Sequence, residues 1–313
     1  MIEALAIFLP FLLTGLLLPW WQKVCKRLYT TPVDKKGPLG GGWLLAGLVA
    51  LFMFGVTLVP PAHLPTALTP QILAQFAFIS LLAILFGTLW QKIDRTGADL
   101  SRFHKILPFL FAGIGAFFLP ELHPALGYGP ERALYVVVWL VIMRAIILAD
   151  ALDGLACVSA AIVCLGLSVF VKPVAVPALV TAGCCLGFLR FNRPDAILLL
   201  GASGRAWLGF VVGGLWLLAA THAAEQAHIF ALLVLLVPLL FNNFLSPVPW
   251  HARLESLGLL PGKVLAKFVL LQGGYFILAL VAFIFPVPGW ILIFGLTLFF
   301  IYMAYIKWLE RSL

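Results

Sequence analysis

Long apolar runs separated by short polar segments dominate the pattern of hydrophobic and polar positions along this chain of 313 residues. A helix that crosses a bilayer needs about 20 predominantly apolar residues, so runs of about 17–25 residues qualify as spans. Eleven runs qualify, and they begin near Ile7, Trp43, Ile72, Leu107, Leu134, Leu155, Val174, Trp207, Ile229, Val264 and Trp290. The pattern predicts an all-α, polytopic transmembrane helical bundle of about 10–11 spans.

Composition and charge support this prediction. Hydrophobic residues make up 63% of the chain and charged residues only 10%, whereas soluble domains carry about 25% charged residues. The net charge of +8 is spread over the loops after the first, third, seventh and ninth spans and over the last residues. This distribution excludes nucleic acid as the expected partner. Under the positive-inside rule the basic loops and the C-terminus are cytoplasmic, and the N-terminus is outside.

The inner loops hold nearly all of the polar chemistry, in the segments 23–42, 91–105, 149–154, 190–206 and 246–263. The sequence ADALDGLA at 149–156 places Asp150 and Asp153 between two apolar runs. A charge at membrane depth costs about 2.5–3.5 kcal/mol, so these acids require a cation, a metal ion or a water-filled cavity. A helical segment would put both acids on one face, whereas the alternative is a solvated loop between two spans. Either way, we expect a site assembled at the cytoplasmic face.

Taken in order, the five segments resemble the motifs of the polyprenyl-phosphate N-acetylhexosamine-1-phosphate transferases. This is glycosyltransferase family 4, which includes the phospho-N-acetylmuramoyl-pentapeptide translocases. The resemblance runs from about residue 30 to residue 270. It implies transfer of a phosphosugar from a UDP carrier to a lipid phosphate in the bacterial inner (plasma) membrane. The first motif, KKGPLGGG at 35–42, is similar to a basic loop that ends in Gly-Gly, with Lys35 and Lys36 as candidate phosphate ligands.

The second motif, IDRTGADLSRFHK at 93–105, resembles a pattern of paired aspartates followed by Leu-Ser and a basic residue. Asp94 matches one aspartate, and Arg95 occupies the place of the second. Aligned without a gap, the pair instead falls on Trp90 and Gln91, and both aspartates are missing. Lys105 matches the basic position and becomes a candidate phosphate ligand.

The third motif is ADALDGLA, in which Asp150 and Asp153 match the family's Asn-x-x-Asp-Gly-x-Asp-Gly-Leu-Ala while Ile147 replaces the Asn. The resemblance implies catalytic roles for both acids and for Asp94. It also implies Mg²⁺ as a cofactor, with Asp150 and Asp153 as its ligands. Magnesium prefers oxygen ligands, including carboxylates and substrate phosphates.

The fourth motif joins GFLRFN at 187–192 to LLGASGR at 199–205. Asn192 fits the family's pattern in register and is a candidate phosphate or lipid ligand. Ala202 replaces the Asp that the resemblance implies for the catalytic magnesium, and Arg205 replaces the final Ser. Arg205 therefore brings a cation close to the expected metal position, where its guanidinium is a candidate phosphate ligand.

The fifth motif, PWHARLESLG at 249–258, resembles the family's loop His-x-His-His-Arg-Leu-x-x-x-Gly. His251 matches one histidine, with an implied catalytic role, while Pro249 and Ala252 replace the others. Arg253 is a candidate for bidentate binding of a phosphate.

These departures give three hypotheses. The first is a divergent, non-catalytic homologue that binds a polyprenyl phosphate or another lipid, or scaffolds an envelope-glycan enzyme. The second is an active, magnesium-dependent transferase that moves a sugar-1-phosphate from a UDP-sugar to undecaprenyl phosphate. The third is an unrelated membrane transporter. We expect residues 1–287 to form the transferase-like membrane domain. Residues 288–313 would add a C-terminal span and a cytoplasmic tail, which offer a contact for a membrane-protein partner or for a homodimer.

Overall fold

The computed structural model describes residues 2–28, 40–59, 65, 67–96, 101–122, 127–223, 226–244 and 250–285. These residues form eleven α-helices and one short 3-10 helix, Lys172–Val174. The α-helices are α1 (Ile2–Leu28), α2 (Gly41–Thr57), α3 (Pro70–Thr96), α4 (Ser101–Phe117), α5 (Tyr128–Ala149), α6 (Leu155–Phe170), α7 (Ala175–Asn192), α8 (Gly201–Thr221), α9 (Gln226–Phe244), α10 (Trp250–Ser256) and α11 (Pro261–Ile284).

Six of these helices are long and apolar enough to cross a membrane, namely α1, α3, α5, α7, α8 and α11. Shorter apolar helices are α2, α6 and segments of α4 and α9. Ten of the eleven predicted span starts fall within these helices or the 3-10 helix. The prediction of an all-α, polytopic membrane bundle is therefore confirmed. The eleventh start, near Trp290, and the predicted unit 288–313 lie outside the described residues.

Helix α8 is the centre of the bundle, because it packs against α2, α3, α5, α6 and α9. Small residues let it approach α5 closely, as is usual where helices meet in a membrane. A Cβ on Gly209 would lie 2.8 Å from the backbone oxygen of Met143, and one on Gly213 would lie 2.6 Å from the Trp139 ring. Trp139 also donates from Nε1 to the backbone oxygen of Phe210 at 2.8 Å. These contacts fix the antiparallel register of α5 and α8.

The described parts of the predicted inner loops lie at one end of the bundle, where α1, α3, α5, α7 and α9 end. We call it the polar end. The structure shows that these segments are partly helical. Residues 246–263 include α10, and residues 201–206 open α8. Asp150 is the C-cap of α5 and Asp153 lies in the turn that follows. The two acids therefore belong to a turn between two spans, and the interpretation that places them on one helix face is wrong.

At the opposite end of the bundle, α5 carries a buried carboxylate. Glu131 is 1% exposed. Its Oε1 accepts hydrogen bonds from the backbone N–H of Leu122 and from the Tyr135 hydroxyl, the latter at 2.8 Å. Burial of a charge is tolerated when hydrogen bonds satisfy it, so Glu131 secures the chain that connects α4 to α5.

The neighbouring Arg132 completes this arrangement. Its Nη1 donates to the backbone oxygens of Ala116 and Leu119, at 2.9 and 2.6 Å. Its guanidinium also lies over the rings of Tyr128 and Tyr135, 4.6 and 5.2 Å from their centroids. We call Glu131, Arg132 and Tyr135 the far-end cluster. It joins the end of α4 to the start of α5 through charge-assisted and cation–π contacts.

Candidate functional site at the polar end

The loop that connects α7 to α8 joins several polar-end segments through consecutive backbone carbonyls. We call residues 197–200 the carbonyl run. The donors to its four oxygens, in chain order, are the Gln22 side chain (3.4 Å), the Asn192 side chain (3.2 Å), the Gly41 N–H (3.0 Å) and the Gly42 N–H (3.1 Å). The end of α1, the end of α7 and the start of α2 are therefore held on one short loop.

The first and fourth sequence motifs meet at this loop. A Cβ on Gly42 would lie 2.0 Å from the Cα of Gly204, so the starts of α2 and α8 touch backbone to backbone. Trp21 adds a hydrogen bond from Nε1 to the Gly40 oxygen at 3.0 Å. Lys35 and Lys36 lie outside the described residues. Phosphate binding by both lysines stays a prediction.

Asn192 fastens the acidic turn to the same loop. This residue is 1% exposed. Its Oδ1 accepts hydrogen bonds from the Gly154 N–H at 3.2 Å and from the Cys157 thiol at 3.7 Å. Gly154 has φ +84, and a Cβ there would lie 3.1 Å from the Asn192 backbone oxygen, so both the conformation and the close approach require glycine. The turn that carries Asp153 is thereby held against the end of α7.

An open cavity of about 410 Å³ lies where the acidic turn, the α7–α8 loop and the α10–α11 region come together. Three carboxylates line it, those of Asp153, Asp195 and Glu255. Asp153 is a predicted site residue, whereas Asp195 and Glu255 are not. Glu255 lies two residues after Arg253 in the fifth motif, and Asp195 lies three residues after Asn192. Carboxylates at one opening favour cations, while Arg193 and Arg253 carry the opposite charge two residues before Asp195 and Glu255.

Arg205 is the fifth residue of α8 and lies just over one turn from its start. Its Nε is buried and has no hydrogen-bond partner in the part of the chain that the structure describes. Gly213 lies opposite Trp139 and Gly209 opposite Met143, so one more turn of each helix places Arg205 level with Ile147. Asp150 follows Ile147 by three residues, or about one turn. By this register, Asp150 lies level with the first residues of α8, about one turn from Arg205.

Helix α10 contributes the fifth motif. His251 is 2% exposed, and this burial lowers the pKa of its imidazole, so that the neutral form is favoured. Arg253 is half-buried on the same short helix, and Glu255 reaches the cavity. The motif is therefore adjacent to the acidic turn. The catalytic role of His251 and the phosphate-binding role of Arg253 stay predictions.

The second motif lies at the ends of α3 and α4. A Cβ on Gly87 would lie 2.8 Å from the Ser203 oxygen of α8, and Gln91 accepts a hydrogen bond from Trp43 of α2 at 3.1 Å. The end of α3 therefore lies beside the starts of α2 and α8. Asp94 follows Gln91 by three residues, and Lys105 is in α4. Their side chains lie outside the described residues, so their assigned roles stay predictions.

The magnesium that the family resemblance implies requires several oxygen ligands at one point. Carboxylates suit this ion, yet the described residues contain no group of three or more His, Cys, Asp or Glu side chains that could hold a metal ion. Ligation by Asp150 and Asp153 stays a prediction.

Comparison with known proteins agrees with the motifs. The model of glycosyl transferase family 4 matches residues 72–220. The phospho-N-acetylmuramoyl-pentapeptide-transferase of Chlamydia muridarum is 35% identical over 117 residues, which cover 34% of this chain and 32% of that protein. The transferase of the same name from Caldicellulosiruptor bescii is 31% identical over 159 residues, covering 43% and 48%. A third, from Cutibacterium acnes, is 28% identical over 244 residues, covering 62% and 67%.

The match to the chlamydial protein spans about a third of that relative's length. The region that the family model matches nevertheless contains α8, the acidic turn and Asn192, which form the centre of the polar end. The sequence motifs occur in the family's order, and the structure brings the acidic turn, Asn192, the first turns of α8 and α10 together at that end. These findings support membership of this chain in glycosyl transferase family 4, whose model matches residues 72–220.

Proposed function

We propose that this protein is a divergent, non-catalytic member of the family that binds a polyprenyl phosphate at the polar end. The observation that carries the proposal is the start of α8. Ala202 supplies no carboxylate there, and Arg205 presents a buried Nε with no partner among the described residues. A buried donor without an acceptor is costly, so an acceptor supplied by a ligand would stabilise it.

A phosphate monoester is the acceptor that suits this position. Guanidinium groups bind phosphate through two parallel N–H···O bonds, and Nε contributes one of them in the side-on geometry. A fixed cation neutralises part of the phosphate charge. Unlike a metal ion, it does not coordinate two reacting groups at once. The substitution therefore favours holding a lipid phosphate over transferring a sugar phosphate to it. Such a protein would retain the lipid or act as a scaffold for an envelope-glycan enzyme.

The same proposal places the polar end in the cytoplasm. The predicted inner loops carry the basic residues, so the positive-inside rule orients the polar end inward and the N-terminus outward. Its bacterial relatives favour the inner (plasma) membrane as its location. Family membership also removes the third hypothesis, an unrelated transporter.

The retained acids favour a second candidate, an active magnesium-dependent transferase that uses a UDP-sugar. Asp150 and Asp153 are present, and Asp195 and Glu255 line the same cavity as Asp153. In this candidate, carboxylates from neighbouring segments would replace the ligand that is lost at Ala202.

Binding of undecaprenyl phosphate to the full chain in lipid nanodiscs tests the proposal. We expect saturable binding in the presence of EDTA, and no comparable binding of undecaprenol, which lacks the phosphate. Arg205→Met should weaken binding at least about tenfold, since charge-assisted contacts are worth roughly 1.5–3 kcal/mol. Arg144→Met is the matched control, because Arg144 is an exposed arginine on α5. Equal effects of the two substitutions would overturn the proposal.

A second assay separates the two candidates. Magnesium-dependent release of UMP from a UDP-sugar and undecaprenyl phosphate would establish the transferase, and Asp153→Ala should then abolish it. The double variant Ala202→Asp, Arg205→Ser tests loss of the metal site directly. If the site is eroded as proposed, calorimetry should detect magnesium binding in the double variant and none in the native chain.

A further inference from the structure

The sequence motif predicts that Asn192 contacts a phosphate or a lipid, but its amide is engaged within the protein. Oδ1 accepts two hydrogen bonds from the region of the acidic turn, and Nδ2 donates to the Leu198 oxygen. An asparagine side chain has two acceptor positions and two donor hydrogens. Both acceptor positions and one donor hydrogen are therefore used. With 1% of its surface exposed, the side chain has almost no area for a ligand.

The two elements that Asn192 joins are the ones that carry the site. On one side is Gly154, the residue directly after Asp153. On the other side is the carbonyl run, whose last two oxygens hold the first N–H groups of α2 and which leads directly into α8. The amide thus bridges the acidic turn to the segment that sets the position of Arg205.

We propose that Asn192 is a positioning residue. It fixes the acidic turn and the carbonyl run relative to each other, and so holds Asp153 at the cavity and Arg205 at the start of α8. The anionic and cationic halves of the site then keep one geometry although they come from different helices. This inference concerns the same site as the proposed function, but its first test is independent of any ligand.

Hydrogen exchange of the full chain in nanodiscs, followed by mass spectrometry, provides that test. Asn192→Ala removes both sets of contacts. Exchange in the segments 150–157 and 193–200 should therefore rise roughly tenfold, which corresponds to the loss of about one net hydrogen bond in each. Asn192→Asp keeps an oxygen in place of Oδ1 and replaces the Nδ2 donor. This variant should retain protection in 150–157 and lose it in 193–200.

Gln272→Leu is the matched control. Gln272 is also a buried amide, 5% exposed, and its Nε2 donates to the Ser159 hydroxyl of α6 at 2.6 Å. Its loss should leave exchange in both segments unchanged. If Asn192→Ala and Gln272→Leu give the same exchange in these segments, the positioning role is overturned.

Lipid binding supplies a readout that a general loss of stability does not move, and this arm rests on the proposed function. Among folded molecules, Asn192→Ala should raise the Kd for undecaprenyl phosphate about fivefold in the native background and leave it unchanged in the Arg205→Met background. Additive losses, with unchanged exchange, would identify Asn192 as a direct ligand contact and overturn the inference. If the native chain binds no undecaprenyl phosphate, the proposed function fails, while the exchange data still decide the role of Asn192.

Discussion

The far-end cluster and the polar end differ in how far along the chain their contacts reach. At the far end, Arg132 donates to two backbone oxygens no more than 16 residues away and contacts two tyrosine rings. At the polar end, contacts join residues up to 175 positions apart, as between Gln22 and Ile197. The buried Nε atoms of Arg132 and Arg205 both have no hydrogen-bond partner among the described residues, but Arg132 is anchored through its Nη1. One end is closed by its own hairpin. The other end is held by contacts between helices that are far apart in the chain.

The largest expected effect comes from breaking the polar end at its tightest contact. Gly42→Ala would place a Cβ 2.0 Å from the Cα of Gly204. Because backbone atoms cannot give way as a flexible side chain does, we expect a loss of about 3 kcal/mol in the free energy of unfolding. Gly47→Ala is the control on the same helix, since nothing lies within 4 Å of the position that its Cβ would occupy. Thermal unfolding in detergent measures both, and equal Tm values for the two variants would contradict the close contact.

Substitutions in the far-end cluster should lower stability and leave lipid binding unchanged. Glu131→Ala leaves the Leu122 N–H without its acceptor, while the Tyr135 hydroxyl keeps the Pro120 oxygen at 2.8 Å. We expect a loss of about 2 kcal/mol of stability. Glu131→Gln retains an acceptor oxygen and should recover much of that loss. Both variants should bind undecaprenyl phosphate as the native chain does. Weakened binding in folded Glu131→Ala would show that the two ends are not independent.

The two arginines give the sharpest comparison. Arg132→Met should lower stability by about 1–2 kcal/mol, because two backbone oxygens lose their donor. Arg205→Met should not lower stability, because it removes a buried donor that has no acceptor among the described residues, and it should weaken lipid binding. Paired measurements of Tm and of Kd for undecaprenyl phosphate test this. The reverse pattern, in which Arg205 is needed for stability and Arg132 for binding, would refute the assignment of roles.

The smallest effect concerns pH at the polar end. Burial lowers the pKa of His251 in the folded state, so the unfolded chain takes up its proton first as the pH falls. The stability contribution is complete above the unfolded pKa of about 6.5. It is lost as the pH falls through that value towards the lowered folded pKa. The native Tm should therefore fall more between about pH 7.5 and about pH 5.5 than the Tm of His251→Gln. Parallel pH profiles would contradict this.

Much of the architecture is predictable from the sequence because a membrane imposes long apolar runs, and ten predicted starts match helices. The acidic turn is harder to predict, since three-residue spacing is compatible with a helix as well as with a turn. The cavity is only partly predictable, because Asp153, Asp195 and Glu255 come from segments that only the packing of α7, α10 and α11 brings together. The fourth motif points to Asn192, but the contacts of its amide are a property of the folded loop.

The contact between the starts of α2 and α8 also constrains how the protein is made. The oxygens that accept from the N–H groups of Gly41 and Gly42 belong to Leu199 and Leu200, which leave the ribosome more than 150 residues later. Until then, the start of α2 has neither these acceptors nor the Gly204 surface beside it. The polar end therefore assembles late in synthesis, when α8 packs against helices that were made before it.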